Sequence, residues 1–175
     1  KSYYKKKKTK NTALVYTGKD TMTGGRLLRL KKYLKNEETF MLTYGDGVSS
    51  VDIKKLVKFH KKHKKIATLT AVRPPVRFGE LKIDGSKINS FQEKPQVTQS
   101  WINGGFFVLN KKILKIIKDD MTIWEKKPLE ILAEKRELIS FKHKNFWHPM
   151  DTLRDKQYLE DLWQKKSCPW KLWND

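Results

Sequence analysis

Asp46 closes the apolar run TFMLTYG (39–45), is followed by Gly47, and leads into a polar stretch. Between two strands, such an Asp-Gly pair is a two-residue hairpin turn. At the end of a buried strand it is a carboxylate at the sheet edge where α/β enzymes hold metals and phosphates. The following residues favour the second reading. Ile53, Leu56, Val57 and His60 share one helical face, with Ser49 and Ser50 as N-cap candidates, so the order is strand, Asp-Gly, helix. Gly24-Gly25 opens another helical pattern (Leu27, Leu30, Leu34), with Arg26 in its first turn. A Gly-rich helix start offers backbone N–H groups to an anion, or is a flexible entry to an ordinary amphipathic helix. Asp151 precedes a Thr152/Asp155 capping pattern and by itself reads as a carboxylate favoured by a helix N-terminus. His60 and His63 lie three apart with no third ligand nearby, which predicts two solvated helix histidines rather than zinc.

The charge narrows the function further. The net charge is +20, but 33 lysines stand against 6 arginines. Nucleic-acid surfaces favour the planar arginine fork and interleaved aromatic residues. Here the lysines are spread along the chain, apart from KKKKTK near the start. Solvated lysine faces are expected rather than a nucleic-acid partner. The scarce arginines are the informative ones, and Arg26, Arg77 and Arg154 lie near a Gly or an Asp. Cys168, the single cysteine, fits a reducing compartment. No run approaches a membrane span and no signal peptide is visible, so a cytoplasmic location is expected. The first residue is Lys, so the chain is read as starting mid-gene or after processing.

The elements that must position these residues alternate. TALVYTG (12–18) and TFMLTYG (39–45) read as strands, the latter buried on both faces. KIATLTAVRPP (65–75) is a strand stopped by Pro74-Pro75. Leu81 and Ile83, then Ile88 and Phe91, flank a hairpin turn at Asp84-Gly85. INGGFFVLN (102–110) is a strand and KKILKIIK a helix. A Thr122/Glu125 capping box and Pro128 mark another helix start, and ELISFKH is a strand. A final helix begins at Thr152, and the aromatic tail SCPWKLWND is expected to dock on the body. The expected fold is α/β: a Rossmann-like, mixed, mainly parallel sheet sandwiched by helices, with an inserted hairpin, in a single domain over 1–175.

The strings TMTGGR (21–26), TYGDGV (43–48), RFGELKI (77–83), SFQEKP (90–95), INGGFFVLN (102–110) and FWHPMDTLRDKQYLEDLW (146–163) occur in this order. Together they resemble the sugar-phosphate nucleotidyltransferases of the nucleotide-diphospho-sugar transferase type. The resemblance covers nearly the whole chain from Thr12, and TYGDGV, INGGFFVLN and PMDTLRD are those of the cytidylyltransferase branch. It implies transfer of a cytidylyl group from CTP to α-D-glucose 1-phosphate, giving CDP-glucose for cell-surface polysaccharide. A sibling using UTP, dTTP or GTP is the alternative, and a basic nucleic-acid-binding domain is the alternative of another class.

The resemblance also assigns roles. Asp46 and Asp151 would hold Mg²⁺, which takes one or two carboxylates together with phosphate oxygens. Glu93 and Lys94 would contact the sugar phosphate; their other reading is a strand-end ion pair. Asn103 and Gly104 would meet the sugar, with a strand bulge as the other reading of Gly104-Gly105. Thr21 and Arg26 would belong to a substrate-touching loop, Gly45 would leave room beside the metal, and Arg154 would neutralise phosphate or pair at the helix cap. Homo-oligomerisation is the family habit. The family's GGxGTR loop and KPM-like lysine motif have no counterpart in the sequence. The first strand and most of the nucleotide pocket are therefore expected to be missing, and the isolated chain to have no turnover.

Overall fold

The structure, a computed structural model, describes residues 13–74, 80–92 and 100–172. Its centre is a four-stranded sheet of β1 (Thr39–Thr43), β6 (Ile102–Asn110), β3 (Ala67–Val72) and β7 (Leu138–Lys142), in that spatial order. β3 and β7 are parallel, whereas β6 runs antiparallel to both its neighbours, β1 and β3. The expected α/β class and mixed sheet are present, and the parallel pairing among the described strands is β3–β7. A separate ladder joins β2 (Gly47–Ser49) to β8 (Trp147–Pro149), and β4 (Glu80–Asp84) with β5 (Lys87–Gln92) forms the hairpin.

Helices cover both sheet faces. On one, Leu27 of α1 (Thr23–Arg29), Ile113, Leu114, Ile117, Trp124 and Leu132 of α3 (Lys127–Glu134) pack on Ala67, Phe107 and Leu109. On the other lies α2 (Ile53–His63), which buries Leu56 and His60. α4 (Leu153–Gln164) buries Leu159, and the described part of the tail docks as expected, with Trp170 5.4 Å from Phe146 between ring centres. Among the described residues no helix is long and apolar enough to cross a membrane.

Several local expectations are corrected by tertiary partners. Residues 13–18 of the expected first strand form no strand: no sheet neighbour reaches them among the described residues, and Leu14 and Tyr16 are 71% and 85% exposed. β1 is not buried on both faces. It pairs with β6 alone among the described strands, so Phe40 and Leu42 are half-buried while Met41 is 59% exposed. The cap of α2 is Asp52, whose side chain accepts from Lys55 N–H at 2.9 Å. Ser49 and Ser50 are instead bonded to the Phe146 carbonyl. KKILKIIK forms a 3-10 turn over Lys111–Lys115 rather than an α-helix. The Thr122/Glu125 box does not form; Thr122 Oγ1 donates to Asp119 and Glu125 accepts from Thr23. Pro128 does sit in the first turn of α3. The hairpin loop is Gly85-Ser86, since Asp84 pairs with Lys87 and Gly85 alone takes positive φ (57°), as a II′ turn requires of its first central residue.

The two helix histidines are not solvated. His60 is 4% exposed, and both rings share the buried Thr68 hydroxyl, at 2.8 Å from His60 Nδ1 and 2.7 Å from His63 Nε2. The Lys65 N–H donates to His63 Nδ1 at 3.0 Å. His63 therefore donates through Nε2 to Thr68, and Thr68 donates onward to His60 Nδ1. Both rings are neutral in this wiring. Burial pushes both pKa values below the ordinary histidine range, and the neighbouring His63 adds to the effect on His60.

Candidate functional site

β2 and β8 bring two distant strings side by side. Their ladder pairs Gly47 with Pro149, and beyond it the Met150 N–H donates to the Asp46 carbonyl at 2.7 Å. Asp46 and Asp151 thus flank the same end of one short ladder, and both are exposed. Gly45, beside Asp46, has no atom within 4 Å of where a Cβ would stand. The turn carrying Asp151 is pinned from the helix side. Thr152 and Asp155 form a reciprocal capping box, and the other Asp155 oxygen meets His148 Nε2 at 3.1 Å.

The third wall is the start of β6. Between Leu69↔Phe107 and Ala71↔Asn103 the register shifts, so Gly104-Gly105 forms a bulge, the alternative the sequence offered. Gly104 is tightly seated, since a Cβ there would lie 2.7 Å from Val72 Cγ1 and 3.0 Å from the Thr70 carbonyl. Its carbonyl accepts from Trp147 Nε1 at 2.8 Å, tying the sheet to the β2–β8 ladder. Gly105 has φ of 79°, which lets the chain pass the Tyr44 ring. Asn103 Oδ1 accepts from Gly105 N–H at 2.9 Å, and its Nδ2 donates to Tyr44 Oη at 3.1 Å. Burial and then the Glu125 carboxylate push the Tyr44 pKa up, and Asp46 adds a smaller push, so the hydroxyl keeps its proton.

The Gly24-Gly25 start does not present its amides to an anion. Both N–H groups donate to the Thr122 carbonyl, at 2.9 and 3.2 Å. A Cβ on Gly25 would stand 2.3 Å from the Asp120 carbonyl, so the glycines serve close backbone packing. Arg29 holds the same loop through a two-pronged pair with Asp120. Thr21 is buried, and Arg26 donates to Thr17 Oγ1 at 2.7 Å and the Lys19 carbonyl at 3.1 Å. Among the described residues no hydrogen bond links Thr21 or Arg26 to the Asp46 corner directly. The nearest connection is Thr23 Oγ1, which donates to Glu125 at 2.7 Å.

Asp46, Gly45, Asp151, Asn103 and Gly104 therefore converge, Arg154 is exposed on the first turn of α4, and Glu93, Lys94 and Arg77 lie outside the described residues. No group of three or more His, Cys, Asp or Glu suited to a metal occurs among the described residues. Sequence reasoning passed over Tyr44, Glu125 and Trp147. Tyr44 and Trp147 stood inside the recognised strings, and Glu125 was absorbed into a capping box.

The nucleotidyl transferase family matches residues 4–175. The chain is 53% identical over 171 residues to glucose-1-phosphate cytidylyltransferase of Salmonella typhi, covering 98% of this chain and 66% of that protein. It is 37% identical over 158 residues to the probable glucose-1-phosphate cytidylyltransferase of Bacillus subtilis (strain 168), covering 90% and 61%. The chain thus spans about two thirds of the first relative's length and somewhat less of the second's. The structure of HddC from Yersinia pseudotuberculosis complexed with GMP-PN superposes with a TM-score of 0.57 at 26% identity, over 80% of this chain and 61% of that one. With residues 4–175 matched and the fold shared, the chain belongs to the nucleotidyl transferase family.

Proposed function

We propose that the protein carrying this chain transfers a cytidylyl group from CTP to α-D-glucose 1-phosphate, giving CDP-glucose and pyrophosphate. The observation that carries this reading is the hydrogen bond from Met150 N–H to the Asp46 carbonyl, which sets TYGDGV beside PMDTLRD. A sugar phosphate oxygen attacks the α-phosphorus of CTP; one P–O bond forms and the bond to the leaving pyrophosphate breaks. The protein's task is positioning and charge neutralisation. Its net charge of +20 favours the approach of two polyanions. Two exposed carboxylates at one ladder end fit Mg²⁺, which prefers one or two carboxylates plus phosphate oxygens and water. Asp46 and Asp151 would hold it, and when bound it neutralises phosphate charge.

In this reading Asn103 and the Gly104 backbone meet the sugar, and Gly45 keeps the space beside Asp46 clear. Glu93 accepts from sugar hydroxyls and Lys94 pairs with the phosphate. Thr21 and Arg26 belong to the loop that touches substrate. The enzyme is read as a cytosolic homo-oligomer. The test is pyrophosphate release from CTP, with and without α-D-glucose 1-phosphate, in the gene product that carries this chain. Asp46→Asn and Asp151→Asn are each expected to lower kcat by about 100-fold or more, the size of losing one electrostatic stabiliser. Wild-type rates in either variant, or equal turnover with UTP, dTTP or GTP, would overturn the assignment.

A further inference from the structure

Asn103 has two N–H donors and a carbonyl oxygen with two lone pairs. One N–H is given to Tyr44 Oη and one lone pair receives the Gly105 N–H. One donor and one acceptor remain on the same planar amide, a pattern that complements two neighbouring hydroxyls of a sugar ring.

The orientation of that amide depends on Tyr44. Tyr44 Oη accepts from Nδ2 at 3.1 Å, so the Nδ2 side of the amide faces the phenol. A flipped amide would also set Nδ2 against the Gly105 N–H, donor against donor. Tyr44 is itself held. The Tyr44 ring lies against the Gly105 bulge and meets Phe107 edge-on at 5.7 Å.

We propose that Tyr44 is a positioning residue that fixes the Asn103 amide, so that Asn103 reads a pair of adjacent hydroxyls on the sugar phosphate. The proposal rests on the function proposed above and adds to it the residue behind the sugar contact.

Tyr44→Phe removes one oxygen and keeps the ring. In steady-state kinetics it is expected to raise KM for α-D-glucose 1-phosphate about tenfold, the scale of one lost hydrogen bond, with KM for CTP within about twofold. Asn103→Ala raises the same constant, and Tyr44→Phe adds nothing in the Asn103→Ala background, because Tyr44 acts through Asn103. Slow solvent exchange of the Asn103 side-chain amide protons in the wild-type protein carries the test should Tyr44→Phe not fold. Independent, multiplying effects of Tyr44 and Asn103, an equal rise in KM for CTP, wild-type constants in Tyr44→Phe, or rapid exchange of the wild-type Asn103 amide protons would overturn the proposal. Calorimetric titration with α-D-glucose 1-phosphate separates the two readings. A wild-type protein that binds none refutes the proposed function and this inference together. Tight wild-type binding left unchanged by the variants refutes the inference alone.

Discussion

Replacing Thr68 and Thr70 by valine in parallel tests how polar groups are accounted for inside this sheet. Both threonines lie on β3, two residues apart, and both are fully buried. Valine matches threonine in shape, so packing is nearly constant and the hydroxyl is the variable. Thr68 Oγ1 serves two rings, whereas Thr70 Oγ1 has no hydrogen-bond partner among the described residues. Thr68→Val strands His60 Nδ1 in a buried site, at a cost of about 1–3 kcal/mol. It also removes the partner of His63 Nε2, which is half-buried and regains part of the loss from water. The sum is a destabilisation of about 2–4 kcal/mol. Thr70→Val removes a buried hydroxyl whose desolvation is uncompensated, so the expected change is about zero to 1 kcal/mol in the stabilising direction. Urea unfolding at pH 7.5 gives both numbers from the midpoints at constant slope. Equal costs for the two variants, or a Thr68→Val midpoint at the wild-type position, would refute the reasoning.

The same histidines set a pH dependence. Their folded pKa values are lowered, so the folded state binds fewer protons and stability is lost as pH falls below the unfolded value of about 6.5. The urea midpoint is expected to drop between pH 7.5 and 5.5, and a His60→Gln/His63→Gln variant to show a flatter profile in that interval. The lowered carboxylates, Glu137 beside Lys65 among them, act in a separate window, withdrawing stability as pH falls below about 4.5. Gly104→Ala should cost about 1–3 kcal/mol in thermal or urea unfolding, because its Cβ overlaps Val72 and the Thr70 carbonyl. Gly45→Ala meets nothing and should leave stability within about 0.5 kcal/mol, so that activity lost in that variant reports on substrate space. Thr152→Ala removes the cap of α4 and should cost about 1 kcal/mol in the same unfolding assay.

Elements with strong local signals were legible in the sequence. The period of α2, the β-rich 102–110 run and the Thr152/Asp155 cap each became the expected element, because local preference and tertiary packing agree there. The distinction between the two Asp-Gly pairs was also legible. A helix follows Asp46 after a short ladder, while the hairpin at 84–87 turns one residue later than expected, at Gly85-Ser86. What the sequence could not display were the partners. Ser49 and Ser50 have the chemistry of caps but are taken by Phe146, nearly a hundred residues away. Glu125 stands at the capping-box distance from Thr122 yet is claimed by Thr23, because α1 docks on that loop through its glycine pair. The helical pattern already set His60 on the apolar face, against the expectation of a solvated ring, but only the packing of α2 on β3 reveals Thr68 between the two histidines. The convergence of Asp46 with Asp151 depends likewise on a long-range ladder that no periodicity announces.

That ladder has a meaning for local stability. β2 and β8 form three residue pairs outside the four-stranded sheet, tied to it by the Trp147 indole on Gly104. Closing a contact between segments so far apart in sequence carries loop-closure entropy that only the finished core repays. A three-pair ladder outside the sheet is expected to open locally, parting the two carboxylates while the sheet stays intact. Amide exchange at Val48 and His148 reads that opening, as the free energy of parting the site's two halves.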